Sequence, residues 1–175
     1  MEGEIPYTTC FVRCGESVLM LLRNRPPNAG LWNGVGGKIS LGETPLEGVR
    51  REVLEEAGID LRRSGEARFG GVVRWASGVD PTGPSTGMFA FVADLQHGPA
   101  QKEVLRTPEG LLSWKPLDWV CDPENEGVVS NIPRFLPELL EGKELLRVRC
   151  REASGPYGET SVASRVCGAL YNAGR

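Results

Sequence analysis

Gly37-Lys38-Ile39-Ser40-Leu41-Gly42-Glu43, then Thr44 to Arg50, then Arg51-Glu52-Val53-Leu54-Glu55-Glu56-Ala57-Gly58-Ile59, reads as a glycine-rich turn running into a helix. Thr44 suits the N-cap, Pro45 the first helical position, and Gly58 the left-handed residue after the last turn. Leu46, Val49, Val53 and Ala57 recur at helical spacing and form the stripe to be buried. Glu52, Glu55 and Glu56 stand at i, i+3 and i+4 beside that stripe. Like charges so close repel by a few tenths of a kcal/mol per pair. Either water solvates them as an acidic face, or a hard divalent cation such as Mg²⁺ offsets them through carboxylate oxygen.

Working outward, Pro6 to Val12 and Ser17 to Arg23 read as a hairpin around Gly15-Glu16, and Pro26-Pro27 stiffens the loop that follows. Leu31 to Lys38 is rich in glycine but is no Walker A loop, because neither Ser nor Thr follows Lys38. Beyond the helix, Arg68 to Trp75 and Met88 to Leu95 are strand-like, with a loop over residues 78–85 between them. A second loop from Gln96 to Gly110 leads to a strand at Leu111 to Lys115. Pro133 to Leu140 reads as a short helix stopped by Gly142, and Glu144 to Arg151 as a final strand.

The chain's 175 residues suit one core-bearing domain over 1–152, with 153–175 as an accessory tail that turns weakly helical from Glu159 to Leu170. A net charge of −3 makes nucleic acid an improbable partner. No apolar run spans a membrane and no secretory leader is visible, so a cytoplasmic location is expected. Five cysteines without C-x-x-C spacing agree with reduced thiols there. His97 is the single histidine, which argues against histidine metal sites and Ser-His-Asp chemistry.

The opening stretch resembles the Nudix box, G-x5-E-x7-R-E-U-x-E-E-x-G-U with U aliphatic, at every specified position. The resemblance implies an α/β fold, an α/β/α sandwich around a mixed sheet. It also implies Mg²⁺-dependent (or Mn²⁺-dependent) hydrolysis of nucleoside diphosphates linked to another group. On that likeness Glu52, Glu55 and Glu56 ligate the metal, joined by a backbone carbonyl near Gly36 or Gly37. Arg51 is expected to point off the carboxylate face and orient Glu43 and Glu52 through charge-assisted bonds. Glu52 and Glu55 both remain open as general base. Glu109, five residues before Trp114, takes the place of a further metal-approaching Glu in the MutT branch, with Glu103 as the weaker alternative.

Trp32-Asn33-Gly34-x-Gly36-Gly37-Lys38 is similar to the segment before the box in family members that hydrolyse oxidised purine triphosphates. That similarity makes Asn33 a base reader, and Asn131 a second one, because an amide offers donor and acceptor to a guanine edge. Thr8 is expected near the base, Arg23 and Arg25 near the triphosphate, and Lys38 either on a phosphate or on the surface. Trp32, Trp119 and Phe135 either wall a base pocket or pack in the core. The acidic pair by which some relatives read the oxidised base has no match, since Asn131-Ile132 stands there. The expected substrate is thus a purine triphosphate such as 8-oxo-dGTP. ADP-ribose, nucleotide sugars and RNA 5′ ends are the rivals within the enzymes. A non-catalytic nucleotide sensor is the rival outside them, although such members usually lose box carboxylates that this chain keeps.

Overall fold

The computed structural model describes residues 5–76, 85–96, 104–142, 145–150 and 160–162. Its strands are β1 (Tyr7–Cys14), β2 (Ser17–Arg23), β3 (Trp32–Asn33), β4 (Ala67–Ala76), β5 (Ser85–Asp94), β6 (Leu105–Thr107), β7 (Gly110–Pro116), β8 (Leu145–Cys150) and β9 (Thr160–Val162). Its helices are α1 (Pro45–Ala57), α2 (Leu61–Ser64), α3 (Leu117–Val120) and α4 (Ile132–Leu140). All strands join one sheet in the order β6-β7-β2-β1-β5-β4-β8-β9, with β3 paired to β2. β1 runs parallel to β5 and β4 parallel to β8, whereas the other pairs are antiparallel, so the sheet is mixed as expected.

The core explains why β1 and β2 carry nearly unbroken apolar runs: both faces of the sheet are covered. Cys10, Val12, Leu19 and Leu21 pack with Val49 and Val53 of α1. Phe11, Val18 and Met20 pack on the other face with Ile132, Phe135, Leu136 and Leu139 of α4. Alternation along each strand thereby feeds two clusters, which gives the sandwich its three layers. Phe135, with no exposed surface, belongs wholly to this core and walls no pocket.

α1 forms as its sequence dictates. Thr44 and Glu47 make a reciprocal capping box, and Gly58 closes the helix in the left-handed region at φ 67°. The helix also fixes the pitch of the site, because Val49 and Val53 are fully buried beneath it.

Several elements depart from expectation. The stretch from Gln96 to Gly110 contains β6, which pairs with β7 around Thr107-Pro108-Glu109-Gly110. Its side chains are largely exposed, so it lacks the apolar alternation by which strands are recognised. β5 starts at Ser85, inside the expected loop, because its register on β4 extends to Ala76. α2 and α3 are single turns too short for a periodic signal. Thr160–Val162, within the stretch read as weakly helical, is instead a strand on β8. The rest of residues 153–175 lies outside the described residues, as do Glu103 and His97. No helix among the described residues is long and apolar enough to cross a membrane.

Candidate active site

The carboxylates of the box divide into two sets around Arg51. Its Nε donates to Glu43 Oε1 at 2.7 Å and its Nη2 to Glu43 Oε2 at 2.9 Å, a two-pronged clamp. Nη2 also donates to the Lys38 carbonyl at 3.1 Å. Nη1 donates to Glu52 Oε1 at 2.7 Å and to Glu55 Oε2 at 3.2 Å. Every N–H of the guanidinium is therefore engaged. Arg51 binds Glu43 and Glu52 as expected, but it does not point off the carboxylate face, because Glu55, one turn further on, leans back toward it and accepts a further bond. Arg51 and then the Ser40 amide hold the Glu43 carboxyl down to about 2, while Glu43 raises the Arg51 guanidinium in turn.

Glu56 stands apart from this network. Its Oε2 is buried with no hydrogen-bond partner among the described residues. Burial, then the charges of Glu52 and Glu109, push its carboxyl up to about 7, against the pull of the Gly36 amide and of Arg23. Those influences locate Glu109 and Arg23 near Glu56. Backbone pairing explains how they come there. Arg23 is paired with Gly110 across β2 and β7, and the Asn24 amide donates to the Glu109 carbonyl at 3.0 Å.

Gly37 is required by contact. A Cβ there would stand 2.7 Å from the Glu52 carboxylate, whose side chain is only 14% exposed. The Gly37 carbonyl accepts the Thr8 amide at 2.9 Å, so one of its two lone pairs is already used. Gly36 lies equally close to β1, since a Cβ on it would meet the Thr8 carbonyl at 2.2 Å.

The donor set suits a hard divalent cation. Among the described residues no three acidic, histidine or cysteine side chains converge as a ready coordination set. The reason is visible, because Glu52 and Glu55 each lend one oxygen to Arg51. Each keeps a second oxygen, and the partnerless oxygen of Glu56 is buried among like charges that a cation would offset.

The residues expected to meet substrate are spread along one edge of this site. Asn33 lies in β3, its Oδ1 accepting the Gly34 amide at 2.9 Å. The Trp32 amide donates to Gly127 at 2.9 Å and the Trp32 carbonyl accepts from Val129 at 3.0 Å, so β3 and the stretch leading to Asn131 share one junction. Thr8 is buried with its methyl facing Gly48 of α1, whereas the Thr9 hydroxyl faces Gly34, beside Asn33. Lys38 and Arg25 are exposed. The Lys115 ammonium sits 4.0 Å over the Trp32 ring and 5.6 Å from that of Trp119, which is 37% exposed and not a core residue. Tyr7 and Trp75 stack at 6.5 Å from β1 and β4, two strands that are not sheet neighbours. Thr9, Trp75 and Lys115 were not legible as site neighbours. Only the alternation of β1, with Thr9 on the face of Phe11, could have hinted at the first.

The comparisons with known proteins agree with this fold. The family model for the NUDIX domain matches residues 5–139. The chain is 44% identical over 55 residues to an oxidized purine nucleoside triphosphate hydrolase of Mus musculus, covering 31% of this chain and 35% of that one. It is 34% identical over 95 residues to an NAD-capped RNA hydrolase, NudC, of Haemophilus influenzae, covering 53% of this chain and 33% of that protein. The matched region thus spans about a third of each of these relatives. In structure it is similar to a MutT protein from Bacillus halodurans, with a TM-score of 0.64 and 25% identity over 87% of this chain and 92% of that one. With the family model matched over residues 5–139, the chain belongs to the Nudix family.

Proposed function

We propose that this chain hydrolyses purine nucleoside triphosphates to the monophosphate and pyrophosphate, with 8-oxo-dGTP or a close relative as substrate. The reading is supported by one short stretch, Asn33 to Gly37, in which Asn33 carries an amide suited to a base and Gly36 and Gly37 lie against Glu56 and Glu52. In the reaction a water oxygen bonds to phosphorus as the bridging P–O bond between the α- and β-phosphates breaks, and the water's proton leaves through a carboxylate.

Nudix hydrolases generally use divalent metals such as Mg²⁺ or Mn²⁺. Glu52, Glu55, Glu56 and Glu109, with the Gly37 carbonyl's second lone pair, would hold the metal. Once bound it neutralises phosphate charge and lowers the pKa of water. Arg51 orients Glu52 and Glu55 by holding one oxygen of each, which leaves the second oxygen of each uncommitted to the guanidinium. Glu52 or Glu55 takes the proton. Asn33 and Asn131 read the purine edge, with Thr8 of β1 as a third residue assigned to substrate, and Arg23 and Lys38 face the phosphates. Similarity to the mouse oxidized purine nucleoside triphosphate hydrolase over 55 residues supports this reading. The free thiols of Cys10, Cys14 and Cys121 agree with a cytoplasmic location. We further take 1–152 as the catalytic domain and 153–175 as its accessory tail.

Similarity to NudC favours a second reading, hydrolysis of a dinucleotide or capped RNA end. A comparison of kcat/KM on 8-oxo-dGTP, dGTP, ADP-ribose and NAD decides between them. The proposal requires a triphosphate to lead. Preference for ADP-ribose or NAD would overturn it while leaving the metal site in place.

A further inference from the structure

We propose that Lys115 is a positioning residue for base recognition. Its ammonium, held between the Trp32 and Trp119 rings, fixes the spacing between the Asn33 strand and the segment that carries Asn131. The role rests on the proposed reading in which Asn33 and Asn131 meet the purine. Lys115 has no place in the sequence pattern of the box, and it leaves the sheet on the side opposite the box helix. It pairs with Val18 across β2 and β7, and Val18 belongs to the cluster beneath α4.

The first observation is the company the ammonium keeps. It lies 4.0 Å from the centre of the Trp32 ring and 5.6 Å from that of Trp119, both within the range of a cation–π contact. Among the described residues Lys115 forms no ion pair. Two indoles therefore hold a charge that an acid would ordinarily hold. One ring comes from β3 and the other from α3, so the ammonium ties together distant parts of the chain.

The second is what Trp32 itself holds. Its amide donates to the Gly127 carbonyl at 2.9 Å, and its carbonyl accepts the Val129 amide at 3.0 Å. Asn33 is the next residue on one side of this junction, and Asn131 stands two residues beyond Val129 on the other. A rotation or shift of Trp32 thus moves the two amides relative to each other.

The third is that Trp119 closes on the same segment. Its carbonyl accepts Asn125 Nδ2 at 2.6 Å, and Asn125 Oδ1 accepts the Gly127 amide at 2.9 Å. Gly127 also lies against the indole, since a Cβ there would stand 3.5 Å from the ring. Both rings that hold the ammonium therefore converge on Gly127. Trp119 is exposed, so burial alone does not lock its ring, and the charge of Lys115 supplies the missing restraint.

The test compares the full chain with Lys115→Met, which keeps the stem and removes the charge, and with Lys115→Arg, whose guanidinium also suits an indole face. In Lys115→Met, KM for 8-oxo-dGTP should rise roughly 3-fold to 10-fold with kcat within about twofold, as for a loss of binding alone. Lys115→Arg should recover most of that rise. Affinity for pyrophosphate in Mg²⁺, read by calorimetry, should be unchanged in both variants, because that ligand has no base. A parental KM for 8-oxo-dGTP in Lys115→Met would overturn the role, whatever the melting temperature. An equal loss of pyrophosphate affinity would also overturn it, by making Lys115 a general support of the fold. Should the parent protein prefer ADP-ribose to triphosphates, the proposed substrate falls, and the same variants assayed on ADP-ribose decide the role. A raised KM rescued in Lys115→Arg keeps it, and an unchanged KM ends it.

Discussion

Glu43 and Glu56 belong to the same box, yet the fold treats their charges in opposite ways. Glu43 is clamped from both prongs by Arg51 and also takes the Ser40 amide at 2.8 Å, which holds its carboxyl down to about 2. Glu56 is half-buried beside Glu52 and Glu109, has one buried oxygen without a partner, and is pushed up to about 7. The contrast teaches how a helix face tolerates so many acids. An internal cation settles one end of the cluster, and at the other end the Gly36 amide and Arg23 offset only part of the cost. A group buried at a cost in the metal-free fold is where an external cation gains most.

The largest effect expected from breaking this contrast is on turnover. Glu56→Gln and Glu55→Gln each remove an anionic oxygen ligand at nearly constant shape, so hydrolysis should fall by several orders of magnitude. Near-normal turnover of either variant at saturating Mg²⁺ would remove that residue from the metal site.

Arg51→Ala attacks the other end. It releases Glu43, Glu52 and Glu55 together, and kcat should fall about 10-fold to 100-fold, as for groups that orient metal ligands. Arg51→Lys should not rescue it, because a single ammonium cannot reproduce the clamp. A lowered melting temperature with full activity in the folded fraction would make Arg51 purely structural.

Base recognition should respond by a smaller amount. Replacing Asn33 or Asn131 by Ala leaves a polar atom of the base without a partner, at about 1–3 kcal/mol in kcat/KM for purine triphosphates. The change should enter through KM and spare inorganic triphosphate. Equal losses on purine, pyrimidine and base-free substrates would assign both residues to holding their loops.

The smallest effect, and the sharpest for the contrast, is the pH dependence of metal-free stability. Glu43 has a folded value near 2 against an ordinary 4.5, so it stabilises above about 4.5 and loses that contribution as pH falls towards 2. Glu56 has a folded value near 7 against the same 4.5, so the folded state binds its proton more tightly. Its cost is present in full above about 7 and vanishes as pH falls to 4.5. Chemical denaturation in the presence of a chelator should therefore find stability rising from pH 8 to pH 5 and falling below 4. Glu56→Gln should flatten the first change alone, and Glu43→Gln the second alone.

Much of this was readable in the chain itself. The box stripe, the cap at Thr44 and the stop at Gly58 are local signals, and local rules dictate them. The β1–β2 hairpin was equally clear, since Cys14 and Ser17 pair across the two-residue turn the sequence marked. β6 was hidden because its residues are exposed and its pairing is settled by β7. The bonds of Arg51 to Glu43 and Glu52 were expected, while its reach to Glu55 was hidden for another reason. Spacing gives the face on which a residue starts, while rotamer and partners decide where a long side chain ends.

The central claim is that Glu56, and not the acids bound to Arg51, is the chain's principal open position for a divalent cation. Titration of Mn²⁺ into the nucleotide-free protein at pH 8, followed by loss of the free-ion electron spin resonance signal, tests it directly. Glu56→Gln should lose at least about tenfold in Mn²⁺ affinity, whereas Glu43→Gln, which touches only Arg51 and the turn, should lose far less. Equal affinity in the parent protein and Glu56→Gln, or a larger loss in Glu43→Gln, would contradict the account.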